Sequence, residues 1–244
     1  MSLSRSNPGV QENIPHVVAD ITNIKSLQNG IQTGFDDVIF CVSPDKMDEE
    51  TYRLVYICGF QNIISILKAH PPQRYLVFSS TSVYSQNHGE WITEVSPTEP
   101  ENFRGQVMLE LEQTAFKTDS QVIILRLSGI YGKSNSRLFN RAIQNDIPAS
   151  QLYRYTNRIH STDASGFAVH LLKQQIPRQH EIYIASDNLP VLQIEVLNAI
   201  RLAAGLPAFK AEKTRETGKR CCNAKMLATG YALQVPTYKE GLLY

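Results

Sequence analysis

Five short, nearly continuous apolar runs constrain this chain more than any other feature. HVVADIT occupies 16–22, VIFCVSP 38–44, RYLVFSST 74–81, QVIILRLSGIY 121–131 and EIYIASD 181–187. Apolarity that does not alternate marks strands covered on both faces, as in a parallel sheet flanked by helices. The intervening segments change period. Ile57, Phe60, Ile64 and Leu67 recur at three- and four-residue steps, which predicts a helix over 49–70 with one apolar stripe, stopped by Pro71 and Pro72. Thr22 is the expected N-cap of a short helix carrying Leu27 and Ile31. Ser161 or Thr162 is that of a helix carrying Phe167, Val169 and Leu172. Glu110, Leu111, Glu112 and Phe116 fall in a further helix after Pro97 and Pro100, and a last helix is expected to open at Pro190 and close at Gly205. Strand–helix alternation of this kind predicts an α/β fold with a doubly wound parallel sheet.

Charge and cysteine content exclude several classes. Lys and Arg number 24 against 23 Asp and Glu, so no basic excess points to nucleic acid. No apolar run approaches the ~18 residues that would span a membrane, and the opening MSLSRSNPG does not read as a signal peptide. A cytoplasmic location is expected. Cys41, Cys58, Cys221 and Cys222 form no C-x-x-C pair, and the six histidines show no ligand spacing. Reduced thiols and no metal site are therefore expected.

In a doubly wound sheet, ligands bind outside the carboxyl ends of the strands. Those ends here are Asp20, residues 41–44, residues 79–82 and residues 128–132, and small or hydroxyl side chains crowd them. Each position alone is ordinary loop chemistry. Their repetition at strand after strand marks a cleft.

The run VFSSTSVY followed by Glu94, Pro97 and Pro100 resembles the extended short-chain dehydrogenase/reductase family of NAD-dependent sugar epimerases and dehydratases. The resemblance continues through LRLSGIYG at 125–132, NRIHSTD at 157–163, IYIASD at 182–187 and the tail GKRCCNAKMLATGY with VPTYKEG. It implies a Rossmann-like domain over 1–132 and 157–187, with a small substrate-side lobe over 133–156 and 188–244. It also implies a cofactor, NADP or NAD, and a small-molecule ligand of nucleotide-sugar type. Arg5 falls where an Arg of the family meets the 2′-phosphate of NADP; a solvated terminus is the other reading of it. Asp20 and Ile21 match the pair at the adenine ring. Cys41 and Ser43 match the strand end beneath the cofactor, with Ser79 on the next. Ser80 matches the hydroxyl that bonds the substrate oxygen, with Thr81 as the alternative, and Ser128 and Gly129 match the segment near the nicotinamide. Arg158 and His160 are expected to be structural, through an Arg158–Asp163 tie. A homodimer through helices at 49–70 and 102–117 is expected by the same analogy.

Two departures accompany the resemblance. No G-x-G-x-x-G or G-x-x-G-x-x-G occurs, and the chain reads as starting at the end of the family's second strand. The first strand and the glycine-rich loop are then expected to be missing, leaving a gap in the sheet and, in this chain, a cofactor site without its pyrophosphate turn. The family's acid/base pair is a Tyr with a Lys four residues later, and no tyrosine here has that Lys. In FRGQVMLELE, Arg104 stands at the Tyr position and Met108 at the Lys position. Arg cannot exchange a proton at neutral pH and Met carries no charge. Three functions remain open. The first is an epimerase-like enzyme with another acid/base, drawn from Tyr84, His88, Glu94 or His160. The second is a non-catalytic, regulatory dinucleotide-binding protein. The third is a truncated chain that binds no cofactor. Trp91 is expected to pack locally.

Overall fold

The computed structural model describes residues 1–6, 14–31, 34–132, 136–144, 147–174, 179–210, 212 and 214–242. The chain begins with β1 (Ser2–Ser4), β2 (His16–Val18), α1 (Ile24–Gly30), β3 (Asp37–Phe40), α2 (Glu49–Arg53) and α3 (Gly59–Ile66). It continues with β4 (Arg74–Ser80), β5 (Glu90–Ile92), α4 (Phe103–Ala115), β6 (Gln121–Leu127), β7 (Gly129–Tyr131), α5 (Ser136–Gln144) and α6 (Ala149–Leu152). There follow β8 (Arg154–Thr156), β9 (Arg158–His160), α7 (Ser161–Lys173), β10 (Glu181–Ala185), β11 (Val191–Leu192), α8 (Gln193–Ala203), β12 (Thr217–Cys221), α9 (Ala224–Ala228) and α10 (Tyr238–Leu242). They form two compact units. The first comprises Met1–Val83, Glu99–Ile124 and Pro177–Glu181; the second comprises Tyr84–Thr98, Leu125–Ile176 and Ile182–Tyr244.

Two sheets carry the strands of the first unit. β1 and β2 run parallel, with Ser2 opposite His16 and Ser4 opposite Val18. β3 and β4 run parallel in a separate sheet, with Asp37 opposite Arg74 and Phe40 opposite Val77. The core of the first unit follows from the apolar runs. Phe60 meets the rings of Phe40 and Tyr75 edge-on at 4.9 and 5.5 Å, and Leu76, Val77, Val107, Leu111 and Val122 are fully buried.

The helix predicted over 49–70 has a different internal phase. Asp48 caps α2 by accepting from the Thr51 N–H, and Glu49 and Glu50 complement the dipole of the first turn. A π-helical turn at Leu54–Cys58 then inserts between α2 and α3. Ile57, Phe60 and Leu67 are buried as expected, but Ile63 rather than Ile64 completes the stripe. Caps were the least legible feature. Asn23, not Thr22, caps α1, because Thr22 is spent on Asp20. His160 caps α7 ahead of Ser161 and Thr162. Pro190 precedes β11 rather than opening α8, whereas Gly205 does follow the end of α8, in a left-handed conformation (φ 72°). The run at 121–131 divides at Ser128 into β6 and β7, which pair in different sheets.

One contact fixes the end of β4. A single 3₁₀ turn, Thr81–Val83, follows the strand, and α4 packs its first turn on it. Gly105 makes this approach possible: a Cβ there would lie 2.3 Å from the Ser82 carbonyl oxygen and 2.6 Å from Pro100 Cβ. Asn102 caps the helix at the same place, accepting from the Gly105 N–H at 3.2 Å. In an open helix, Gly→Ala stabilises. Here Gly105→Ala is expected to destabilise by about 1–3 kcal/mol, since backbone must move to admit the methyl. Urea unfolding checks the sign, and an unchanged or raised midpoint would mean that helix and turn do not meet.

Candidate functional site

The strand ends of the first unit assemble a polar rim. Arg5, just beyond β1, donates from both terminal nitrogens to Asp45 at 2.5 and 2.6 Å, a bidentate pair exposed on both sides. This contact raises the Arg5 pKa and holds the Asp45 carboxyl below its ordinary range. Asp20, beyond β2, accepts from the Thr22 N–H and hydroxyl at 2.8 and 2.7 Å, both on Oδ1. That turn delivers Ile21, whose carbonyl accepts from Asn62 Nδ2 at 2.8 Å. The Ile21 side chain lies on the bare face of Gly59, where a Cβ would stand 2.7 Å from its Cδ1. Cys41 and Ser43, past β3, are exposed.

At the end of β4, Ser79 is buried and donates to Glu112 Oε1 at 2.6 Å. Ser80 Oγ accepts from the Ser82 N–H at 3.1 Å, closing the turn that carries the half-buried Thr81. Arg104 and Met108 both lie on α4. Arg104 is exposed, whereas Met108 is buried on the stripe with Leu111 and Glu112. Glu112 escaped the sequence reading as a site residue. Its signal was positional, a carboxylate one helical turn from Met108 on an apolar face.

The second unit holds Ser128 and Gly129 where β6 gives way to β7. Ser128 is buried and donates from N–H and hydroxyl to the Ala185 carbonyl, and the exposed Gly129 donates to the Asn157 carbonyl. Of the alternative acid/base residues, Tyr84 is buried and its hydroxyl accepts from Arg126 at 2.6 Å. Glu94 accepts from the Ile184 N–H at 2.9 Å, His88 meets Arg215 at 2.9 Å, and His160 accepts from the Thr162 N–H at the head of α7. All four thus carry structural contacts. The expected Arg158–Asp163 tie is not formed. Arg158 donates to Thr156 and Gln193, while the fully buried Asp163 accepts from Tyr231, Gln234 and Val235. Asp163 therefore fastens the C-terminal tail instead.

A parallel α/β frame with polar strand ends defines a class of ligand-binding folds, and comparison with known proteins gives the family. The model of the NAD dependent epimerase/dehydratase family matches residues 2–174. The chain belongs to that family. It is similar to a solved structure from Methylobacillus flagellatus bearing the provisional name NAD-dependent epimerase/dehydratase, with 30% identity, TM-score 0.81, and coverage of 99% of this chain and 86% of the other. MoeE5 in complex with UDP-glucuronic acid and NAD superposes at TM-score 0.80 with 16% identity, covering 98% and 87% of the two chains. UDP-glucuronic acid 4-epimerase from Bacillus cereus, in complex with NAD, gives 0.72 with 18% identity over 93% and 78%. The last two show the fold alone. No curated protein sequence matches. No helix among the described residues is long and apolar enough to cross a membrane, and no cluster of three metal-ligating side chains occurs among them.

Asp187 is a strongly perturbed carboxyl of the second unit. Oδ1 accepts from the Leu189 N–H at 3.0 Å, while buried Oδ2 has no partner among the described residues. Burial pushes its pKa from 3.8 up to about 7, against the weaker pull of Leu189 and Arg158. The folded state therefore keeps a proton that the unfolded chain releases near pH 4. Stability is full below that pH and falls as pH rises to about 7, by an amount on the order of 4 kcal/mol. Asp187→Asn keeps a neutral group in place. Its unfolding free energy, measured from pH 4 to 8, is expected to lack this slope and to exceed that of the parent at pH 8.

Proposed function

We propose that this chain is an NAD(P)-binding, epimerase/dehydratase-like protein for a small polar substrate of nucleotide-sugar type, working without the family's Tyr–Lys pair. The observation that carries the proposal is the corner at Asp20 and Ile21. One carboxylate oxygen is committed to Thr22 and the other accepts no hydrogen bond among the described residues, and Gly59 and Asn62 hold Ile21 in place. Those groups fit the adenosine end of a dinucleotide. Arg5, Cys41 and Ser43 would line the same end. No glycine-rich pyrophosphate turn occurs in the sequence given, so the fit extends only to those positions. When bound, the nicotinamide supplies a hydride acceptor and donor. Ser80, with Thr81 beside it, would position the substrate oxygen, and Glu112 holds the neighbouring Ser79.

A second reading, a non-catalytic dinucleotide-binding protein, is favoured by α4. Met108 is buried and uncharged and Arg104 is exposed, so this helix offers no acid/base at the two positions the family uses. The two readings separate by turnover. Cofactor reduction or sugar epimerisation across a panel that includes UDP-glucuronic acid supports the first, and a raised melting temperature with NAD or NADP but no turnover supports the second. No melting shift with either dinucleotide would reject both.

Arg5 bears on the choice of cofactor. Its pair with Asp45 is exposed on both sides and therefore weak, so a 2′-phosphate can compete for the guanidinium. Arg5→Ala is expected to weaken NADP binding by roughly tenfold or more and to leave NAD within about twofold. Calorimetric titration of both dinucleotides checks it, and an equal loss for both would remove Arg5 from the phosphate site.

A further inference from the structure

The second unit presents a surface that neither reading above uses. β12 pairs with β5 on one side and with β8 on the other. The registers place Arg220 opposite Trp91 and Gly218 opposite Tyr155. Residues two apart on a strand share a face, so Trp91, Arg220 and Tyr155 gather on one side of the sheet. The Arg220 guanidinium lies between the two rings, 5.1 Å from the Trp91 centroid and 4.9 Å from that of Tyr155. Lys219, Cys221 and Ile92 point the other way, and the last two are buried.

Several contacts make this layer rigid. Arg220 Nε donates to the Gly89 carbonyl at 2.7 Å, and the Tyr155 hydroxyl donates to Glu216 at 2.9 Å. Gly89 and Gly218 adopt left-handed conformations (φ 77° and 79°) and join through a Gly89 N–H to Gly218 carbonyl bond of 2.7 Å. No Cβ is present on Gly218, where one would meet Arg154 Cγ at 2.9 Å. The terminal nitrogens of Arg220 make no hydrogen bond or ion pair among the described residues. Trp91 remains 56% exposed on a stacked, immobilised ring.

An exposed indole backed by a fixed guanidinium has a defined chemistry. The ring offers a flat apolar face, and the guanidinium edge offers two parallel donors that match a phosphate. A ligand using both must carry a planar ring and an oxyanion a short distance away. We propose that Trp91, Arg220 and Tyr155 form a platform that takes a nucleoside diphosphate, its base on Trp91 and its phosphates at Arg220. The site lies wholly within the second unit and stands apart from the dinucleotide reading.

Trp91 is the only tryptophan in the chain, so intrinsic fluorescence of the unmodified protein reports on this platform directly. UDP, ADP, uridine, inorganic pyrophosphate and glucuronate are titrated separately. UDP or ADP is expected to quench Trp91 saturably and to bind at least about tenfold more tightly than uridine or pyrophosphate alone, since base and phosphate are held together. Arg220→Gln is expected to weaken that binding at least about tenfold. Should Arg220→Gln unfold, as read by far-ultraviolet circular dichroism, Trp91→Leu at this exposed position carries the same expectation, read by calorimetric titration of UDP. No saturable response to either diphosphate would overturn the proposal. So would binding left unchanged by Arg220→Gln in a folded protein, or by Trp91→Leu where that variant stands in. Glucuronate binding as tightly as UDP would also overturn it, by making the site a carboxylate site. A melting shift with NAD accompanied by no Trp91 response would sink this proposal alone, leaving the dinucleotide reading standing.

Discussion

The approach of α4 to the end of β4 is the constraint on which the rest of the first unit depends. It needs three residues of different kinds. Gly105 removes the side chain that would strike the Ser82 carbonyl, Asn102 caps the helix at the contact, and Glu112 reaches back to Ser79. The first is steric, the second satisfies an orphan amide, and the third places a carboxylate in a buried position that only a strong hydrogen bond makes tolerable. Together they set where Ser80 and Thr81 stand, at a hydroxyl-rich strand end directly followed by a helical turn.

Much of this architecture was legible in the chain. Continuous apolar runs gave the strands, because strands buried on both faces leave no room for polar alternation. The family resemblance located Asp20, Ile21 and Ser80 at strand ends. What escaped was set by close contact rather than by pattern. Thr22 resembles a cap, yet its hydroxyl is drawn to Asp20 and Asn23 takes the role. Arg158 and Asp163 resemble partners in sequence, yet each is claimed by groups 35 and about 70 residues away in the chain, Gln193 and the 231–235 tail. Periodicity carries no information about such distant partners. The run at 121–131 reads as one strand with 128–132 at its end, and only the bonds of Ser128 to Ala185 and the pairing of β7 show that the ladder changes sheets there.

The second unit uses buried polarity differently from the first. Asp163 accepts three bonds and is satisfied, so it works as a fastener for the C-terminal tail. Asp187 has one oxygen without a partner among the described residues, close to Arg158 and beside rings of Tyr131 and Tyr238 whose hydroxyls are also held in their neutral form by burial. Two carboxyls of the same unit, both nearly inaccessible, thus differ because one has backbone amides aimed at it and the other largely does not.

The π-helical turn at Leu54–Cys58 sets the phase of everything downstream in its helix. One extra residue per turn rotates the following segment by roughly 100°. The rotation carries Ile63 inward and leaves Ile64 half-buried, and it carries Asn62 to the side on which Ile21 lies. Gly59, the first residue after the turn, faces the same way. The irregularity therefore acts as a gear between two jobs of one helix. Upstream it keeps Arg53 directed to Glu110 on α4, and downstream it keeps an amide and a bare backbone face directed to the Asp20–Ile21 corner.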